Sequence, residues 1–153
     1  MENKYEISVR YSIDEFRFDP DEITSITGIQ PSKIRRAGEP VSWAHKIRPG
    51  NPIPTIKYNS WEIKSELKPL TDCDEHIRVL IHRLRPSWST FVELNTQYCG
   101  TFTCVIWDYS CARPTILLDQ DILKDLAALN VTININVHSL NHEKQSSTSL
   151  YTI

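Results

Sequence analysis

The apolar and polar positions of this chain change period several times, and each change marks an element. In "YEISVRYSIDEF", Tyr5, Ile7, Val9, Tyr11 and Ile13 alternate with Glu6, Ser8, Arg10 and Ser12, the period of a strand with one wet face. "FDPDEITSITGIQP" then turns helical: Asp19 is placed to cap, Pro20 suits the first helical position, and Glu22 stands where a capping box needs it. Ile23 and Ile26 are expected to face the core. Gly28 supplies a left-handed stop, Ile29 folds back over the last turn, and Pro31 prevents the helix restarting.

From Ser32 to Thr55 the periodicity lapses. Pro40, Pro49, Pro52 and Pro54, with Gly38 and Gly50, predict a long ordered loop or irregular strand pair; such lengths within a compact domain mark function or disorder. Strand-like "TIKYNSWEIKSEL" follows. "TDCDEHIRVLIHRLRP" is the clearest helix, with Ile77, Leu80, Ile81 and Leu84 at helical spacing, Thr71 or Asp72 as cap, and Pro86 as stop or kink. "SWSTFVELNTQY" adds a turn or two of helix. "TFTCVIWDYS" and "PTILL" read as two strands joined at "SCAR".

A further helix is capped by Asp119, turns Ile122, Leu123, Leu126 and Leu129 mostly inward, and stops at Asn130. "VTININVHSL" is the last strand. The two helices that open on Asp-x-Asp, at Asp19 and Asp119, each follow a strand and lead to another, an echo that suggests two related strand–helix–strand halves. The expected fold is therefore α+β: one mixed, mainly antiparallel sheet with two or three helices packed on it. Trp61 and Trp107 are expected in or beside the core.

Composition narrows this picture. The 153 residues, 40% hydrophobic, match a single α+β domain over 1–140 followed by a polar tail over 141–153, expected to be mobile or weakly docked. A net charge of −2 gives no global attraction to nucleic acid or anionic membrane. No apolar run approaches the roughly 18–20 residues that span a bilayer, and "MENKYEISVR" lacks a signal-type apolar region, so a cytoplasmic protein is expected. Cys73, Cys99, Cys104 and Cys111 are then expected as reduced thiols.

The succession of the alternating strand, "DPDEITSITGIQP", the loop around "RRAGEP", "WEIKSEL", an amphipathic helix and a strand after "DILKDLAAL" resembles a bacterial domain-of-unknown-function family, family 4279. The likeness extends to about Leu140; its specific parts are the Gly and Pro after the first helix, Gly38, and Trp61 with the residues behind it. The resemblance implies a compact cytoplasmic α+β domain that often stands alone. It brings no activity and no catalytic residues. Where the family's last strand more often ends acidic and aromatic, this chain has "NINVHSL".

Recognisable chemistry is sparse. His76 and His82 are six apart and point to different sides of their helix, His138 and His142 straddle a strand end, and no Cys-x-x-Cys pair occurs. No metal or cofactor is expected. There is no Gly-x-Ser-x-Gly elbow, no glycine-rich phosphate loop, and no segment that advertises a base beside a nucleophile. The acidic pairs Asp19/Asp21 and Asp119/Asp121 sit at helix starts, where capping explains them.

One segment stands apart. "SKIRRAGEPVSWAHKIRPGNPIPTIK" carries Lys33, Arg35, Arg36, Lys46, Arg48 and Lys57 against Glu39 alone, a local +5 that leaves the remainder near −7, with Trp43 and His45 among the cations. Lys33, Arg35, Arg36, Trp43, His45, Lys46 and Arg48 are the candidate binding residues. The leading expectation is a non-catalytic protein-binding module with an acidic protein partner, such as an immunity or accessory protein in a bacterial conflict or regulatory system. An alternative is a small-ligand or nucleotide-binding domain, in which Arg35, Arg36, Lys46, Arg48 and Trp43 converge on a pocket. A second alternative is a hydrolase, which requires a histidine or carboxylate beside a nucleophile in such a pocket.

Overall fold

The computed structural model describes residues 4–140. Strand β1 (Tyr5–Phe16) is followed by helix α1 (Asp21–Thr27), strands β2 (Lys33–Arg35) and β3 (Asn59–Lys64), and helices α2 (Cys73–Leu84) and α3 (Trp88–Gln97). Strand β4 (Cys99–Asp108), helix α4 (Gln120–Ala128) and strand β5 (Thr132–Ser139) complete it. The five strands form one sheet in the order β2-β3-β1-β4-β5. Only the β4–β5 pairing is parallel, which makes the sheet mixed and mainly antiparallel and the fold α+β.

The alternation of β1 decides which side of the sheet is covered. Ile7, Val9 and Tyr11 stand opposite Ile106, Cys104 and Phe102 of β4, while Tyr11 and Ile13 stand opposite Ile63 and Trp61 of β3. These residues are buried under α2, α3 and α4, which contribute Ile77, Leu80, Leu84, Phe91, Ile122 and Leu126. Phe91 meets Tyr11 edge-on, with ring centroids 5.8 Å apart, and Trp61 at 5.9 Å. The short α1 seals the β3 end: Trp61 Nε1 donates to Thr24 Oγ1 at 3.0 Å, and Ser87 Oγ donates to the Thr27 carbonyl at 2.9 Å.

One polar bridge crosses this apolar layer. Tyr11 donates its buried hydroxyl to Asn95 Oδ1 at 2.7 Å, and Asn95 Nδ2 donates to the Leu129 carbonyl at 2.9 Å. Burial pushes the Tyr11 phenol well above its ordinary pKa. Gly100 lies directly against the Asn95 side chain, where any Cβ would collide. The bridge joins β1, α3 and the end of α4, and it satisfies groups that would be costly to bury unpaired.

Local capping rules fare well at several ends. Asp19 accepts the Asp21 N–H at 2.9 Å, Gly28 ends α1 at φ 70°, Asp119 accepts the Ile122 N–H at 3.0 Å, and Asn130 adopts φ 56° after α4. Asp72 occupies the N-cap position of α2 without a side-chain capping bond. Pro86 falls in a 3-10 turn, Arg85–Ser87, that links α2 to α3.

Three expectations need correction. Ile26 is 57% exposed, because α1 has two turns and its inward face holds Ile23 and Thr27, four residues apart. Leu123 is likewise exposed, turned about 80° away from the inward line of Ile122 and Leu126. "PTILL" forms no strand: β4 already has β1 on one side and β5 on the other, so neither edge is left for a hairpin partner. The chain instead turns at Asp108, whose carboxylate accepts the N–H groups of Ser110, Ala112 and Arg113. Burial pushes the Asp108 pKa up, but those bonds together bring it below the ordinary carboxylate range.

The echo between the two Asp-x-Asp helices has a counterpart in the connections. Each helix links two strands that run the same way, yet β1 and β2 have β3 between them whereas β4 and β5 are adjacent. The expected tail, 141–153, lies outside the described residues.

Candidate functional site

The polar positions that alternate with the core row form a sheet face without helices. Arg10 pairs with Glu62 at 3.5 Å across β1 and β3. Trp107, expected in or beside the core, instead lies on this face, 37% exposed, and stacks on His138 across β4 and β5 at 4.4 Å. Lys33 and Arg35 stand opposite Glu62 and Ser60 on the edge strand β2, so the segment singled out by its charge begins on this face.

The long segment after β2 is ordered because it pairs with itself. Gly38 N–H donates to the Ile56 carbonyl and Ile56 N–H to the Glu39 carbonyl, each at 2.8 Å, while Val41 N–H reaches the Pro54 carbonyl at 3.1 Å. Gly38, at φ 87°, allows the reversal at little steric cost. Asn59 ties the base, accepting the Ala37 N–H and donating to the Phe18 carbonyl, both at 2.8 Å. The tip carries a 3-10 turn, Ala44–Lys46, where His45 Nδ1 lies 3.0 Å from the Ser42 carbonyl.

This architecture separates the predicted binding residues. Lys33, Arg35 and Trp43 come together on a cavity of 390 Å³ whose other walls include Pro40, Val41 and Ile56. Arg36 turns the opposite way, onto Asp19 at 3.3 Å and Asp21 at 2.8 Å. Its guanidinium pKa is raised chiefly by the Asp19 hydrogen bond. His45, Lys46 and Arg48 are on the loop but do not line that cavity. Among the described residues, Lys33, Arg35, Lys46, Arg48 and Lys57 have no ion-pair partner. Arg35 also borders a second hollow, with Lys57, Tyr58 and Ser60.

A different cavity, of 460 Å³, lies where β3 ends. Ser65 N–H donates to the Val9 carbonyl at 2.9 Å, and Ile7 N–H donates to the Pro69 carbonyl at 2.7 Å; the cavity lies beside the stretch between these two ties. Trp107, Glu6, Lys64 and Glu66 contribute to its walls, and Ser65 and His76 also line it. Both of the latter are buried. His76 Nδ1 lies 2.8 Å from Ser65 Oγ, and Nε2 is buried without a well-formed hydrogen bond. Burial holds the imidazole below its ordinary pKa; the carbonyls of Lys68 and Thr71 favour a ring N–H and oppose this, without overcoming it.

No segment of the sequence advertises a base beside a nucleophile, and the fold brings a serine and a histidine together from two separate segments. Ser65 lies just past β3 and His76 one turn into α2, eleven residues apart, and only the packing of α2 against the sheet joins them. The one sequence signal was negative: His76 falls on the apolar side of its helix with Cys73, Ile77 and Leu80, while His82 is exposed. Beside this pair, Cys73 Sγ donates to Cys104 Sγ at 2.9 Å in the core. That bond and burial raise the Cys73 pKa. Among the described residues no group of three or more His, Cys, Asp or Glu could hold a metal ion, and no helix is long and apolar enough to cross a membrane.

A five-stranded mixed sheet with helices on one face, a polar opposite face and a cationic loop at one edge defines a single-sheet α+β domain. Residues 4–140 match the family model described as Domain of unknown function (DUF4279), and the chain belongs to that family. Neither a curated protein nor a solved structure matches it.

Proposed function

We propose that this domain is a cytoplasmic protein-binding module that takes an acidic partner on the 33–57 loop and the adjoining helix-free face. The observation that carries the reading is the state of the loop's cations. Among the described residues, five of them lack acidic partners, in a protein whose net charge is −2. Such charges steer a complementary surface and set its register, and the half-exposed Trp43 offers the aromatic anchor that interfaces favour.

Their distribution separates this reading from a nucleotide pocket. A small anion needs its cations to converge, yet Arg36 is held by two aspartates and Lys46 and Arg48 lie outside the cavity that Lys33, Arg35 and Trp43 share. Charge spread along an extended loop suits an extended acidic surface. An accessory or immunity role in a conflict or regulatory system fits such a module, since the recognition itself needs no catalytic group.

Titration of the isotopically labelled protein with a Glu-rich peptide of about twenty residues tests this by NMR. Amide shifts should spread from Lys33 to Lys57, weaken as salt rises, and vanish when Lys33, Arg35, Lys46 and Arg48 are all replaced by Ala. Saturation by ATP at lower concentration, with shifts confined to Lys33, Arg35 and Trp43, would replace the reading with the small-ligand one.

A further inference from the structure

The 460 Å³ cavity at the end of β3 is separate from the cationic loop and goes beyond the binding reading. We infer that Ser65 is a nucleophile and His76 its general base, in a site that takes a small carboxylic ester. Two observations converge on this. Both side chains line a cavity large enough for a small ligand. Their polar atoms are 2.8 Å apart, the reach over which a base takes a hydroxyl proton.

A Ser65 hydroxyl that donates to Nδ1 requires the neutral ring that carries its proton on Nε2. Nδ1 is then a lone pair, and the Ser65 hydroxyl donates to it. The Leu67 N–H approaches the same hydroxyl oxygen at 3.4 Å, as suits an oxygen whose own proton points to the imidazole. A nucleophile and a base are therefore within reach of one another.

The step balances without a co-reactant beyond water. Ser65 Oγ attacks the ester carbonyl carbon while its proton passes to His76 Nδ1, and an O–C bond forms. The ester C–O bond then breaks, and the imidazolium returns the proton to the departing alkoxide. Water, deprotonated by Nδ1, cleaves the acyl–Ser65 bond and restores the hydroxyl. Lys64 lines the same cavity as Glu6 and Glu66 and is the cation there that can stabilise the charge developing on the carbonyl oxygen. Trp107 gives the acyl or alcohol group an apolar surface.

A fluorophosphonate probe tests the assignment on the intact chain, because Ser65 Oγ displaces fluoride from phosphorus by the same proton transfer. Native protein should take up one probe per chain, mapped by mass spectrometry to the peptide carrying Ser65. Ser65→Ala should take up none, and the exposed Ser25→Ala should match the native rate. His76→Gln should label at least about a hundredfold more slowly, the usual contribution of a general base. The native rate should also rise with pH as the imidazole loses its proton. Absence of label on native protein, or label mapped to another residue, overturns the assignment without any variant having to fold. A His76→Gln protein that remains folded and labels at the native rate overturns the role of the base.

Discussion

The two faces of the sheet are built from alternate residues of the same strands, and they differ in what each position must satisfy. On the helix-covered face Tyr11, Ile13, Trp61 and Phe102 are fully buried and each is fixed by several neighbours. On the opposite face Arg10, Lys33, Arg35 and Trp107 remain wholly or partly in water, and both the cationic loop and the Ser65 cavity border it. One face therefore specifies the fold and the other is free to carry chemistry, so substitutions on the two should separate stability from binding.

The largest expected effect tests the covered face. Trp61→Ala removes a fully buried indole and its bond to Thr24 and should cost about 3–5 kcal/mol, read as a lowered urea midpoint. Gly100→Ala should follow at about 2–4 kcal/mol. It displaces Asn95 and strands the Tyr11 hydroxyl and the Leu129 carbonyl, each worth about 1–3 kcal/mol when buried unpaired. Tyr11→Phe in the Gly100→Ala background should recover part of that loss, because one stranded group is gone.

A smaller effect sits where the faces meet. His76 has its pKa lowered in the folded protein. Below the ordinary histidine value of about 6.5 the unfolded chain therefore binds a proton that the native state refuses. Its contribution to stability is complete above that pH and is lost as pH falls toward the depressed native value. Urea midpoints should drop between pH 7 and pH 5, and the drop should be shallower in His76→Gln. The smallest effect belongs to the open face: Lys33→Ala with Arg35→Ala should change stability by no more than about 0.5 kcal/mol while weakening the acidic-peptide titration. A large destabilisation there would break the division between the faces.

The same division explains what could be read from the chain. β1, the ends at Gly28 and Asn130, and the Asp119 cap are written in a few adjacent residues, so period and capping rules expose them. Ile26 and Leu123 sat in apolar runs whose inward direction is set by packing against neighbours far along the chain. The strand expected at "PTILL" failed because β5, arriving later, takes the only free edge of β4. The cationic loop was visible as composition, but not the removal of Arg36 by Asp19 and Asp21, which depends on the path of residues between α1 and β2. Ser65 and His76 gave no joint signal, since neither carries a motif and only the docking of α2 brings them within 2.8 Å.

The placing of β1 at the middle of the sheet also bears on how the chain is made. Of the five described strands it is the earliest in the chain and lies at the centre of the sheet, yet β3 begins at Asn59 and β4 at Cys99. A growing chain therefore carries Tyr11 and Ile13 without their β3 partners for about fifty residues, and Ile7 and Val9 without their β4 partners for about ninety more residues, an interval of several seconds at ordinary translation rates. Both neighbours close long loops, and such pairings slow folding. Collapse of this domain thus waits until β4 has left the ribosome, and the interval before it is when the nascent chain most needs a chaperone.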